Sequence, residues 1–280
     1  MKPKIIGSFI ALLLSTATML HAQTDSLAIA DSSIKTNLIN KAPKTEKAPK
    51  RLIQIPPKNL IKINLSALLF KSYSLQYERI LNRKFSVALQ YRMMPETGIP
   101  FKSNVLKLID NEDPDTKKTI EDFKMSNYAI TPEVRLYLSR KGFGKGFYFA
   151  PFYRFASFTS NQLNVSFTDE NDAEQKIKMS GKITSNTFGL AIGAQHFIGK
   201  HIVLDWSLVG PHYGSAKGVF SGTPSHSLSA DEQNDLRDQL DGIDIPLTTK
   251  TVNVSANYAS VNIDGPWAGW RFTIGLGVRF

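Results

Sequence analysis

Cysteine is absent from this 280-residue chain. Its absence excludes disulfides, thiol nucleophiles, thiolate metal centres and anchoring through a lipidated N-terminal cysteine. Long hydrophobic runs are missing too: no segment holds the ~20 continuous apolar residues of a membrane helix. Glycine loops that cradle phosphate, dinucleotide-binding glycine patterns and metal-ligand spacings do not occur either, and His196, His201 and His226 are scattered. No cofactor and no metal is therefore expected. The formal charge of +10 could suggest a nucleic-acid partner, but its distribution argues otherwise. Lys2 and Lys4 precede an apolar run from Ile5 to Leu14, followed by small residues up to His21-Ala22-Gln23. That order predicts a cleavable signal peptide over residues 1–22. Lys35, Lys41, Lys44, Lys47, Lys50, Arg51 and Lys58 then share a stretch with Pro43, Pro49, Pro56 and Pro57. Its composition predicts a disordered periplasmic linker over residues 23–58.

Alternation is what the chain does have. From Trp270 to Phe280 every even position is aromatic or large aliphatic, and every odd one is Gly, Thr or Arg. Strand side chains alternate between faces, so this segment has one oily face and one small or cationic face. A strand of roughly 9–11 residues with lipid outside and a polar interior is the unit of a transmembrane barrel. Seven earlier segments repeat the code. The first offers Ile61, Ile63, Leu65, Ala67 and Leu69 to lipid, the second Tyr73, Leu75 and Tyr77, and the third Phe85, Val87, Leu89 and Tyr91. Tyr128 to Leu138, Phe147 to Phe155, Thr187 to Gln195 and Ile202 to Leu208 complete the set before the last strand. The expected fold is all-β: an eight-stranded antiparallel up-and-down transmembrane β-barrel over residues 59–280.

Connection lengths agree with that count. Links after strands two, four and six are short, whereas those after three, five and seven are long, as in barrels with periplasmic turns and extracellular loops. The long loops carry short helical patterns, one in Ser103 to Phe123 and one capped by Ser229 with Glu232 three residues on. A ten-strand count would require Thr251 to Ile263 to cross the membrane, and that segment lacks a clean lipid face.

The interior-facing positions include Lys62, Glu78, Arg92, Glu133, Arg135, Arg154, Asp205, Arg271 and Arg279. An eight-stranded barrel is just wide enough for side chains to fill it, and charges buried there need partners. An interlocked charge network plugging the barrel is the main expectation, with Glu133 beside Arg135 on one face and Glu78 near Arg92 on adjacent strands. A narrow path for ions or small solutes is the second reading. A lipid-modifying hydrolase is the third, resting on His212 and Ser215 at the rim, where no convincing acid accompanies them. No catalytic residue is assigned.

The Pro57-Lys58-Asn59-Leu60 segment, Tyr73 to Arg79, Phe85 to Arg92 and the Gly-Val-Arg-Phe ending together resemble small outer-membrane β-barrel proteins of unknown function from Gram-negative bacteria. In strand number the chain also resembles the membrane half of OmpA-type proteins, without a following peptidoglycan-binding domain. The resemblance implies residence in the outer membrane and insertion by the outer-membrane assembly machinery, with Trp270, Phe272, Ile274, Leu276, Val278 and Phe280 as the insertion signal. It transfers no catalytic residue. The expected partners are outer-membrane lipid and a surface ligand held by the loops. The protein is expected to be a monomer with a structural or surface-interaction role and no enzymatic activity.

Overall fold

The computed structural model describes residues 57–99, 102–103, 121–140, 142–169, 174–243 and 246–280. The predicted signal peptide and nearly all of the predicted linker lie outside them, as does most of the first long loop. Among the described residues eleven strands form one sheet. In chain order they are β1 (Asn59–Asn64), β2 (Tyr73–Ile80), β3 (Phe85–Gly98), β4 (Lys124–Tyr137), β5 (Gly146–Thr168), β6 (Glu174–Ile198), β7 (Ile202–Val209), β8 (Pro211–Gly222), β9 (Thr249–Ser255), β10 (Tyr258–Trp270) and β11 (Thr273–Arg279). Two helices lie wholly within the described residues, α1 (Leu65–Leu68) and α2 (Ala230–Asp241).

Eight of these strands close a barrel. β1 to β7 pair in sequence, β11 pairs with β7, and β1 meets β11 from Leu60↔Arg279 to Asn64↔Gly275, all antiparallel. Closure matters because an unpaired strand edge cannot be tolerated in hydrocarbon. Burial alternates strictly along β2, where Ser74, Gln76, Glu78 and Ile80 are buried and Tyr73, Leu75, Tyr77 and Arg79 exposed. The exposed face carries Ile61, Leu89, Ile130, Val134, Phe149, Leu190, Ile274 and Leu276, an apolar band that only lipid would cover favourably. No helix among the described residues is long and apolar enough to cross a membrane. The fold is a transmembrane β-barrel of eight antiparallel strands. At its short-turn end Asn82 accepts the backbone N–H groups of Lys84 and Phe85 at 2.8 and 2.9 Å, an Asx-type turn that fixes the β2–β3 register.

At the opposite end the wall continues past the band. β7 and β8 lie end to end with only Gly210 between them, and both pair with β6, at Ile192–Ile198 and Met179–Gly189 respectively. β10 and β11 are likewise one path, pairing with β8 and β7. β9 adds to the free side of β10. The resulting head has its own core, in which Leu236 and Leu240 of α2 pack among Val165, Phe167, Ile177, Met179, Ala259 and Val261.

One expectation is corrected and the strand count is met. The first strand ends at Asn64 instead of running to Leu69. The Asn64 side chain accepts the Ser66 backbone N–H and turns the chain into α1, so Ala67 is buried instead of facing lipid. The Thr251 to Ile263 segment forms β9 and the start of β10. It buries Ala259 and Val261 against the head core and adds no ninth or tenth wall strand.

Candidate functional site: the barrel interior

The interior is built in tiers by the inward residues of successive strands. Nearest the short turns Leu60, Ile80 and Val203 form an apolar layer with Phe143 and Phe197 packed against it. Arg279 sits here, its guanidinium 4.3 Å from the Phe197 ring centre and donating to the Pro57 carbonyl at 2.6 Å.

The next tier is ionic. Lys62 on β1 places its Nζ 2.6 Å from Glu78 Oε2, 2.6 Å from Asp205 Oδ2 and 2.8 Å from Gln195 Oε1. Arg135 on β4 reaches the same two acids, at 2.7 Å for Asp205 and 3.2 Å for Glu78, and meets Glu133 at 2.6 Å. Tyr137 donates to Glu78 Oε1 at 2.7 Å, Tyr148 donates to Asp205 Oδ1 at 2.8 Å, and the Arg135 guanidinium lies 4.4 Å from the Tyr148 ring centre. Lys62, Glu78, Arg135 and Asp205 are at most 2% exposed, so these charges depend on one another and not on water. Gly277 on β11 makes room for this: a Cβ there would stand 2.5 Å from Lys62 Cγ. Arg271 closes the tier from the far wall, paired with Glu133 and donating to Gln90 Oε1 at 2.7 Å.

Of the nine interior charges read from the sequence, the structure joins six: Lys62, Glu78, Glu133, Arg135, Asp205 and Arg271. Arg279 stays in the apolar layer. Arg92 and Arg154 stand one tier higher. Arg92 does not meet Glu78, because the register puts Arg92 opposite Ser74 and Glu78 opposite Ala88. Instead Arg92 donates to Ser72 Oγ at 3.0 Å, and Arg154 to Thr131 Oγ1 at 3.3 Å. Trp270, Phe272, Ile274, Leu276, Val278 and Phe280 all face outward.

The hydrolase reading loses its geometry. His212 and Ser215 are three residues apart on β8 and so point to opposite faces. His212 turns inward, 6.1 Å from the Phe152 ring centre, and its electrostatic neighbours are Arg154 and Arg271. No cluster of acids, histidines or cysteines able to hold a metal occurs among the described residues. The inward placement of Phe152 and His212 escaped the sequence reading. The parity of Phe152 with Tyr148, Ala150 and Arg154 would have placed it; that of His212 became readable only once β8 was known to be a strand.

Fold and interior together define a transmembrane β-barrel whose lumen is crossed by a tier of paired charges. The chain belongs to the family described as Protein of unknown function (DUF3575), which it matches over residues 8–217. Crystal structures of CarO and CarO2 from Acinetobacter baumannii align at 15% and 12% identity. They cover 78% and 76% of this chain and 100% and 99% of theirs, with TM-scores of 0.31 and 0.28. Likeness at that level adds nothing to the architecture already described. No curated protein sequence matches the chain.

Proposed function

We propose that this protein is an outer-membrane barrel acting as a structural or surface-interaction element, with the head as its binding surface and the ionic tier closing the interior to the passage of solutes. The observation that carries this reading is the head's own helix-on-sheet core of Leu236, Leu240, Phe167, Ile177 and Met179. A loop that merely links two strands has no need of such a core, whereas a surface held in fixed shape for a partner does. The ionic tier supports the same reading, since a solute path would have to break the Lys62 and Arg135 contacts. In this reading the outward apolar band contacts outer-membrane lipid, the assembly machinery inserts the barrel, and one copy suffices for closure.

The test is reconstitution into planar bilayers together with membrane fractionation. The expected result is protein that sediments with outer membranes, shows heat-modifiable migration and passes no stepwise current. Current steps that change when Glu133→Gln is introduced would establish the channel reading instead.

A further inference from the structure

The ionic tier is balanced. Lys62, Arg135 and Arg271 face Glu78, Glu133 and Asp205 in one connected set of pairs. The tier above it, on the head side, is not. Arg92 and Arg154 are half-buried, and their only hydrogen-bond acceptors among the described residues are the hydroxyls of Ser72 and Thr131. Neither has a carboxylate partner there. The two arginines stand on the same inner wall, Arg92 opposite Ala129 and Ala129 opposite Ala156, with Arg154 two residues below Ala156. The charges that act on Arg154 are those of Arg92 and Arg271, so like charges converge where opposite ones would be expected.

Two of the five buried side-chain atoms that lack a hydrogen-bond partner among the described residues belong here, Arg92 Nε and His212 Nδ1, and His212 feels the charges of Arg154 and Arg271. A buried donor left unpaired costs about 1–3 kcal/mol, and more if charged. Two guanidinium forks prefer planar or tetrahedral oxyanions, which guanidinium binds in bidentate fashion, and the His212 imidazole adds one ring N–H beside them. Cations are repelled and an apolar guest would leave every donor unsatisfied.

We propose that the head-side half of the barrel interior is a binding site for a small oxyanion of the phosphate or carboxylate class, held between Arg92 and Arg154 with His212 at its floor. The balanced tier beneath closes the site, so the anion enters and leaves from the head side and is bound, not conducted. This inference is independent of the surface-interaction reading; a partner on the head and an anion in the lumen can each be present without the other.

The experiment is isothermal titration of the full-length refolded protein in low-salt detergent solution, with inorganic phosphate and acetate as separate probes. Saturable binding of one ion per chain is expected for at least one probe, and their relative affinities decide the class. Arg92→Gln with Arg154→Gln should weaken it about tenfold or more, while Lys217→Gln on the outer surface leaves it unchanged. If the double variant fails to show heat-modifiable folding, Arg154→Gln alone decides. Absence of saturable binding by both probes, or binding unchanged in the arginine variants, overturns the proposal.

Discussion

Asp205 is one of the two acids that Lys62 and Arg135 share, and the one closer to Arg135, 2.6 Å from Lys62 and 2.7 Å from Arg135. Asparagine has nearly the same shape but leaves Lys62, Arg135 and Arg271 with only Glu78 and Glu133 to balance them, in a tier buried from water. Breaking a buried pair on one side costs about 3–5 kcal/mol. Asp205→Asn is therefore expected to lower barrel stability by that amount, read as an earlier urea midpoint for loss of heat-modifiable mobility. An unchanged midpoint would mean the tier is wetter than its burial indicates. The sequence showed that such a residue had to be paired, since parity alone turns Asp205 inward. Choosing its partner required a register. The Asn82-Arg83-Lys84 turn supplied one: counting outward from Arg83 sets Glu78 against Ala88 and Arg92 against Ser74. Nearness of strands suggested a Glu78–Arg92 pair, and the count along them rules it out.

Helix α2 shows how much a single element can be read in advance. Ser229 and Glu232 form the capping box their spacing predicts, Ser229 N–H donating to Glu232 Oε2 at 2.8 Å. The other end could not be read. Lys250, on β9, donates to the carbonyls of Leu240, Asp241 and Ile243 at 2.7–2.8 Å, a tertiary cap on the exposed helix terminus. Ser229→Ala is expected to cost the head about 1 kcal/mol, measured as faster protease nicking of residues 223–258. The cap also carries a pH dependence. The Ser229 backbone N–H, and then His226, hold the Glu232 carboxyl below its ordinary value of 4.5. A depressed folded-state value means the contribution is whole above about pH 4.5 and fades as pH falls through the lowered one. Head protection should accordingly weaken only in acid below that point, and Glu232→Gln should flatten the profile. The segment before α2 misled the reading for a physical reason. Gly210 looks like a strand end, yet the wall runs through it, because β6 is long enough to pair with β7 and β8 in turn.

The molecule as a whole joins two cores of different kinds along shared strands. The barrel is held by closure and by a polar tier inside an apolar shell, the head by a conventional hydrophobic cluster under α2. β5, β6 and the β7–β8 and β10–β11 paths belong to both, so the head is oriented by the wall beneath it. The cores themselves share no side chain: no residue of the head cluster pairs with the ionic tier. Regions with separate cores open with separate free energies. Truncating a buried leucine costs about 2–5 kcal/mol through lost transfer energy and the cavity left behind. Leu236→Ala removes a side chain with no exposure at all from the centre of the head, so it should lower the head's melting temperature while the barrel keeps its own. In detergent, circular dichroism with heat-modifiable gel migration should then resolve two transitions, the earlier one moved and the later one fixed. A single transition moved as a whole by Leu236→Ala would show instead that the continuous strands couple head and wall into one cooperative unit, and that partner binding at the head would be felt in the barrel.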